Sequence, residues 1–212
     1  MNRKLKASLI LIGGFILLTA ALCFVDLQPI GPGGSPVGFG TVNELVQKTT
    51  GVHFILYALT DWLSLIPLGI ALGFGCMGLA QCMKRRSFQK VDRNLIILGI
   101  FYLVLIGIYL LFEALKVNYR PILINGVLEA SYPSSTTMLA ICIMITASRQ
   151  WEAKIKGEGL KKWLCIFTYG FVLFMVLGRL VSGVHWLTDI LGGILLSAGL
   201  VLLYDFFCKR FQ

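Results

Sequence analysis

Charge is scarce in this sequence. Aspartate, glutamate, lysine and arginine together account for 14% of its 212 residues, against 57% that are hydrophobic. A water-soluble domain of this length has too little interior to hide that much apolar surface, so a bilayer is the expected solvent. Other absences narrow the field. The six cysteines (Cys23, Cys76, Cys82, Cys142, Cys165 and Cys208) form no C-x-x-C or C-x-H pairing. That excludes the usual zinc patterns and a disulfide framework, and leaves buried free thiols as the expectation. No internal repeat and no low-complexity tract marks a linker, so residues 1–212 read as one helical membrane domain. The first apolar run lacks a small-x-small cleavage site and is expected to be a retained helix rather than a signal peptide. Charges are also missing from the middle of the apolar runs. Asp61 is the one candidate there, and it lies toward one end, which argues against a transporter built around a midplane site.

Runs of about 20 apolar residues, the length that crosses the hydrocarbon core, give six candidate spans at 5–24, 54–80, 94–115, 134–148, 163–181 and 186–207. The net charge of +9 would suggest nucleic acid as the partner of a soluble protein, but its distribution points to the bilayer instead. Fifteen of the 19 lysines and arginines fall in the N-terminal tip, the second and fourth connections and the tail. By the positive-inside rule these segments, and with them both termini, are expected to be cytoplasmic. Lys48, Lys116, Arg120 and Arg179 are left on the other side. Arginine at a membrane edge is costly unless it meets a partner, so its presence there calls for a reason. The same side holds a Gly- and Pro-rich loop at 26–40 and a short amphipathic segment at 41–53.

The polar residues of that face form a pattern. In "GRLVSGVHWLTD", His185 and Asp189 are four apart at the start of the sixth span, which on a helix puts them on one face. A carboxylate on one imidazole nitrogen fixes the tautomer and frees the other nitrogen to act; a capped helix end with a solvated histidine is the plainer alternative. Arg179 lies just upstream and Arg120 precedes Pro121 after the third span. In "YPSSTT", residues 132–137, a serine N-cap leaves backbone N–H groups pointing out of a helix start, which suits an anion. Arginine forks suit phosphate oxygens.

Arg120-Pro121, then Pro133-Ser134-Ser135-Thr136, then Arg179-x5-His185-x3-Asp189 resembles the tripartite signature of the type-2 phosphatidic acid phosphatases. These are integral-membrane lipid phosphate phosphatases, similar in active-site architecture to the vanadium haloperoxidases. The resemblance implies an all-α bundle of six transmembrane helices with cytoplasmic termini. It also implies a membrane lipid phosphate substrate met at the extracytoplasmic face of the cell membrane, and no metal or cofactor. By the same resemblance His185 is the nucleophile, forming a phosphohistidine that water hydrolyses, and Asp189 orients it. Arg120, Arg179, Ser134, Ser135 and Thr136 hold the phosphoryl oxygens.

Two positions depart from the family pattern. Its lysine seven residues before the Arg-Pro arginine is Glu113 here, while Lys116 lies four residues before Arg120. Offsets of four and seven share a helix face, so Lys116 either substitutes for that lysine or is an ordinary interfacial residue. Thr136 stands where the family has the histidine that protonates the leaving group, and a threonine hydroxyl does not give up its proton near neutral pH. Three outcomes follow. The substrate carries a good leaving group, as a polyprenyl diphosphate does; or His53, Glu113 or Glu129 supplies the proton; or hydrolysis is lost and a lipid-phosphate binding or regulatory protein remains.

Overall fold

The structure is a computed structural model that describes residues 2–211; Met1 and Gln212, the two ends of the expected 1–212 domain, lie outside them. Its helices are α1 (Arg3–Leu22), α2 (Gly40–Thr50), α3 (Phe54–Leu63), α4 (Leu65–Arg85), α5 (Arg93–Leu115), α6 (Ser135–Glu152), α7 (Glu158–Val181) and α8 (Leu187–Phe211). Among the described residues no strand forms beyond three isolated bridges in the loops. α3 and α4 are two parts of one apolar unit, Phe54–Arg85, broken at Ser64. Pro67 explains the break, because it has no N–H to give the carbonyl of Leu63 and its ring crowds that carbonyl.

Five units are long and apolar enough to cross a membrane: Arg3–Leu22, Phe54–Arg85, Arg93–Leu115, Glu158–Val181 and Leu187–Phe211. Six were expected. The remaining helix, α6, is 18 residues long and twelve of those are buried, Thr146, Ser148 and Gln150 among them. It packs against α4, α5, α7 and α8. Enclosure by protein lets α6 carry polar side chains that a lipid-facing helix could not, and their presence is what lowers its apolarity. The Gln150 amide, for example, donates to the Tyr204 hydroxyl at 2.7 Å.

α1 runs along α8, the most extensive helix pairing in the molecule. Water does not drive helices together within lipid, so close backbone approach has to. The Ser8 hydroxyl donates to the Gly199 carbonyl at 2.7 Å, and a Cβ on Gly199 would come within 2.8 Å of Ile12. At one end of this pair Lys4 Nζ lies 2.6 Å from Asp205 Oδ2, and Arg149 Nε of α6 lies 3.7 Å from Asp205 Oδ1. At the other end Phe15, Phe112 and Tyr132 pack with ring centroids 5.4–5.9 Å apart.

The cysteines are free as expected, but only Cys142 is buried; Cys23 and Cys76 are exposed and the other three are intermediate. Helices with one face to lipid leave their outer thiols uncovered by protein, which the expectation of buried thiols did not allow for.

Candidate active site

The site lies at one end of the bundle, where α5, α6, α7 and α8 are joined by two loops. The first, residues 116–134, is a small hairpin. Asn125 and Gly126 take positive φ angles of 50° and 77° at its tip, the backbone that a tight Asn-Gly turn requires. Its arms pair through Ile124 and Val127, the Arg120 N–H donates to the Glu129 carbonyl at 3.0 Å, and the Ser131 N–H donates to the Asn118 carbonyl at 2.9 Å. Arg120 and Glu129 therefore stand side by side, and their side chains meet, Arg120 Nε lying 3.0 Å from Glu129 Oε2. The indole N–H of Trp186 donates to the Tyr119 carbonyl at 2.7 Å, which ties the hairpin to the start of α8.

The second loop carries His185. It turns at Gly183, whose φ of +68° few other residues adopt, and a Cβ there would lie 1.8 Å from the Gly51 carbonyl oxygen. His185 precedes α8 rather than riding on its first turn, a correction to the helical His-x-x-x-Asp face expected from spacing. The pair still meets, because Asp189 reaches back. Its Oδ2 accepts from the Trp186 N–H at 2.9 Å, as a first-turn carboxylate capping a helix does, and lies 3.4 Å from His185 Nδ1. At that separation the two groups are in contact without an aligned hydrogen bond. The other imidazole nitrogen, Nε2, faces Arg120 Nη1 at 3.4 Å. Burial, then the Arg120 and Arg179 guanidiniums, holds the imidazole well below its ordinary range. It is neutral at physiological pH, with a lone pair to offer.

A cavity of about 240 Å³ opens in front of His185; Arg120, Glu129, Ser135, Tyr109 and Glu113 help to line it. An apolar cavity of about 340 Å³ between α4, α5 and α6 shares Tyr109, Ser135 and Met138 with it. Ser135 opens α6, so the unpaired N–H groups of that helix's first turn lie at the cavity wall. Ser134 is buried as the N-cap. Its Oγ accepts from the Thr137 N–H at 3.4 Å, and its own N–H donates to the Asp189 carbonyl at 3.1 Å, joining α6 to α8.

Arg179 sits behind the cavity, with 2% of its side chain exposed. It donates to Thr136 Oγ1 at 2.6 Å and to Asp61 Oδ1 at 3.1 Å, and its guanidinium lies 4.9 Å from the centre of the Tyr57 ring. Arg120 lies 6.0 Å from the same ring. Thr136 is thus an anchor for Arg179. Lys116 caps α5 in a left-handed conformation, exposed and outside the cavity lining. His53 is also exposed and away from the cavity, with Nε2 2.8 Å from the Thr50 carbonyl.

Sequence reading missed the partners. Tyr57, Thr60 and Asp61 share one face of α3, an i, i+3, i+4 spacing that marks the polar side of an otherwise apolar span. The Asn125-Gly126 pair signals the hairpin. Asn43 has no such local signal, yet its fully buried amide donates to Thr188 Oγ1 at 2.9 Å and accepts from the Thr188 N–H at 3.2 Å, capping α8 from α2.

Comparison with known proteins finds two likenesses. Residues 111–210 match the family model of the PAP2 superfamily, and that segment contains Arg120, Ser134, Ser135, Thr136, Arg179, His185 and Asp189. The whole fold is similar to the crystal structure of a transmembrane PAP2-type phosphatidylglycerolphosphate phosphatase from Bacillus subtilis. The TM-score is 0.61 and the identity 21%, over 97% of each chain. No curated protein matches the sequence.

Proposed function

We propose that this chain is a membrane lipid phosphate phosphatase, with residues 1–212 as one functional unit. The observation that carries the reading is His185, neutral, backed by Asp189 and in contact with Arg120 on the wall of a polar cavity that adjoins an apolar one. His185 Nε2 attacks phosphorus while Asp189 supports the Nδ1 proton, so a phosphohistidine forms without a metal. The developing charge on the phosphoryl oxygens meets Arg120, the α6 start at Ser135 and, from behind, the field of Arg179. Ser134 and Thr136 act indirectly in this scheme, one as cap and the other as the hold on Arg179. The adjoining apolar cavity suits the chain of a lipid. The active-site end faces outside the cell membrane, α6 completes a set of six crossings, and both termini are cytoplasmic, in keeping with the distribution of Lys and Arg.

The favoured substrate class is a polyprenyl diphosphate or similar lipid diphosphate. Thr136 holds Arg179 and offers no proton, so a leaving group that tolerates departure unprotonated is preferred. A departing phosphate, with a second pKa of about 6, does so and an alkoxide does not. Phosphate release from a polyprenyl diphosphate, a phosphatidic acid and a phosphatidylglycerolphosphate tests the proposal, with His185→Ala as the control. The diphosphate is expected to turn over fastest, and His185→Ala to lose at least about a thousandfold. Faster turnover of either monoester would sink the diphosphate preference. Binding of all three without release by the parent would favour a lipid-phosphate binding protein instead.

A further inference from the structure

A phosphohistidine is only half of a turnover, because water must then be activated to hydrolyse it. We propose that Glu129 is the general base for that second step, an inference that rests on the phosphatase reading above. Three other candidates are engaged or displaced. Thr136 Oγ1 receives Arg179 at 2.6 Å, His53 lies outside the cavity with Nε2 2.8 Å from the Thr50 carbonyl, and the Tyr132 hydroxyl is 2.8 Å from Thr19 Oγ1. Of the two carboxylates on the cavity wall, Glu113 makes no ion pair among the described residues. Glu129 is linked to the nucleophile through a single guanidinium: Arg120 gives its Nε side to Glu129 at 3.0 Å and its Nη1 to His185 Nε2 at 3.4 Å. A phosphoryl group that takes the Arg120 fork therefore lies within reach of both the nucleophile and the carboxylate.

With no leaving group to protonate in the first step, the Glu129 carboxylate is free to accept a proton from water in the second. In the second step a water oxygen attacks phosphorus as one of its protons passes to Glu129. The P–N bond breaks, its electron pair returns to His185 Nε2, and inorganic phosphate departs with the other water proton. Glu129 then releases its proton to solvent. The first step needs no acid when the leaving group is a phosphate. One carboxylate thus completes the cycle that the family's histidine would otherwise serve.

The test is a trapping experiment with Glu129→Gln, using whichever lipid of the panel above the parent turns over fastest, radiolabelled at its terminal phosphorus. The variant is expected to give a burst of about one equivalent of dephosphorylated lipid, then turnover reduced by roughly a hundredfold or more. Acid-labile, alkali-stable phosphoprotein should accumulate, and should be absent in Glu129→Gln/His185→Ala. Added formate should partly restore turnover to Glu129→Ala by standing in for the missing carboxylate. Turnover within about twofold of the parent would overturn the proposal. So would loss of turnover with no burst and no trapped phosphoprotein, which would make Glu129 only a support for Arg120. Steady turnover by His185→Ala alone would instead overturn the phosphohistidine route on which the proposal rests, and no release by the parent would overturn the phosphatase reading itself.

Discussion

Arg179 shows how much of the site depends on side chains that never meet the cavity. Its guanidinium donates to Thr136 and Asp61 and stacks against Tyr57. Thr136→Val keeps the shape of the side chain and removes its oxygen. A hydrogen bond to a charged group contributes about 1.5–3 kcal/mol, so a loosened Arg179 should cost about 10–100-fold in kcat/KM, with Thr136→Ser close to the parent. Steady-state kinetics of the two variants checks this. His185 gives a pH prediction of opposite sign to the usual loss of a histidine nucleophile below neutrality. Burial and the two arginines keep it unprotonated well below 6.5, so under the proposed mechanism the imidazole keeps its lone pair as pH falls through that value. The same shift has a cost for folding. The unfolded chain takes up the proton near 6.5 and the folded one does not, so stability declines as pH drops below 6.5. Thermal unfolding in detergent should show a shallower acid slope for His185→Gln than for the parent.

Among the elements, the two loops and α2 decide whether those side chains meet. Gly183 has a φ of +68° and no room for a Cβ against the Gly51 carbonyl, and the His53 N–H donates to the neighbouring Ser182 carbonyl at 3.0 Å. Gly183→Ala should therefore push the 51–53 and 182–183 segments apart, at a cost of order 1–3 kcal/mol from backbone strain alone. A lowered unfolding temperature with loss of phosphate release is the expected result. Asn43→Ala strips α8 of its cap from α2 and leaves Thr188 short of a buried partner, about 1–3 kcal/mol. Here kcat should fall while KM changes little, because the turn that carries His185 loosens while Arg120 stays in place. These elements also mark how far the sequence was legible. Arg120, Ser134, Arg179, His185 and Asp189 could be found because each motif block is a short local run. The reach of Asn43 to Thr188, of Asp61 to Arg179 and of Glu129 across the hairpin could not, because each joins segments whose contact only the folded chain creates. α6 was legible as the apolar run 134–148, but not its enclosure: its polar residues face neighbouring helices, and hydropathy does not separate protein burial from lipid exposure.

For the molecule as a whole, the open quantity is orientation. With the six native cysteines replaced, a cysteine at Thr49 on α2 and one at Gln89 between α4 and α5 report opposite ends of the bundle. Membrane-impermeant maleimide on whole cells should label Thr49→Cys alone, and Gln89→Cys only after permeabilisation. The reverse pattern would turn the site inward. The pairing of α1 with α8 has a consequence for synthesis as well. α1 meets its main partner only when α8, made much later, emerges, and the Lys4–Asp205 pair joins residues 201 apart. Until then α1 lacks that partner, and Arg120 and the start of α6 are made before His185. α8 thus completes two pairings at once, its own with α1 and that of His185 with Arg120.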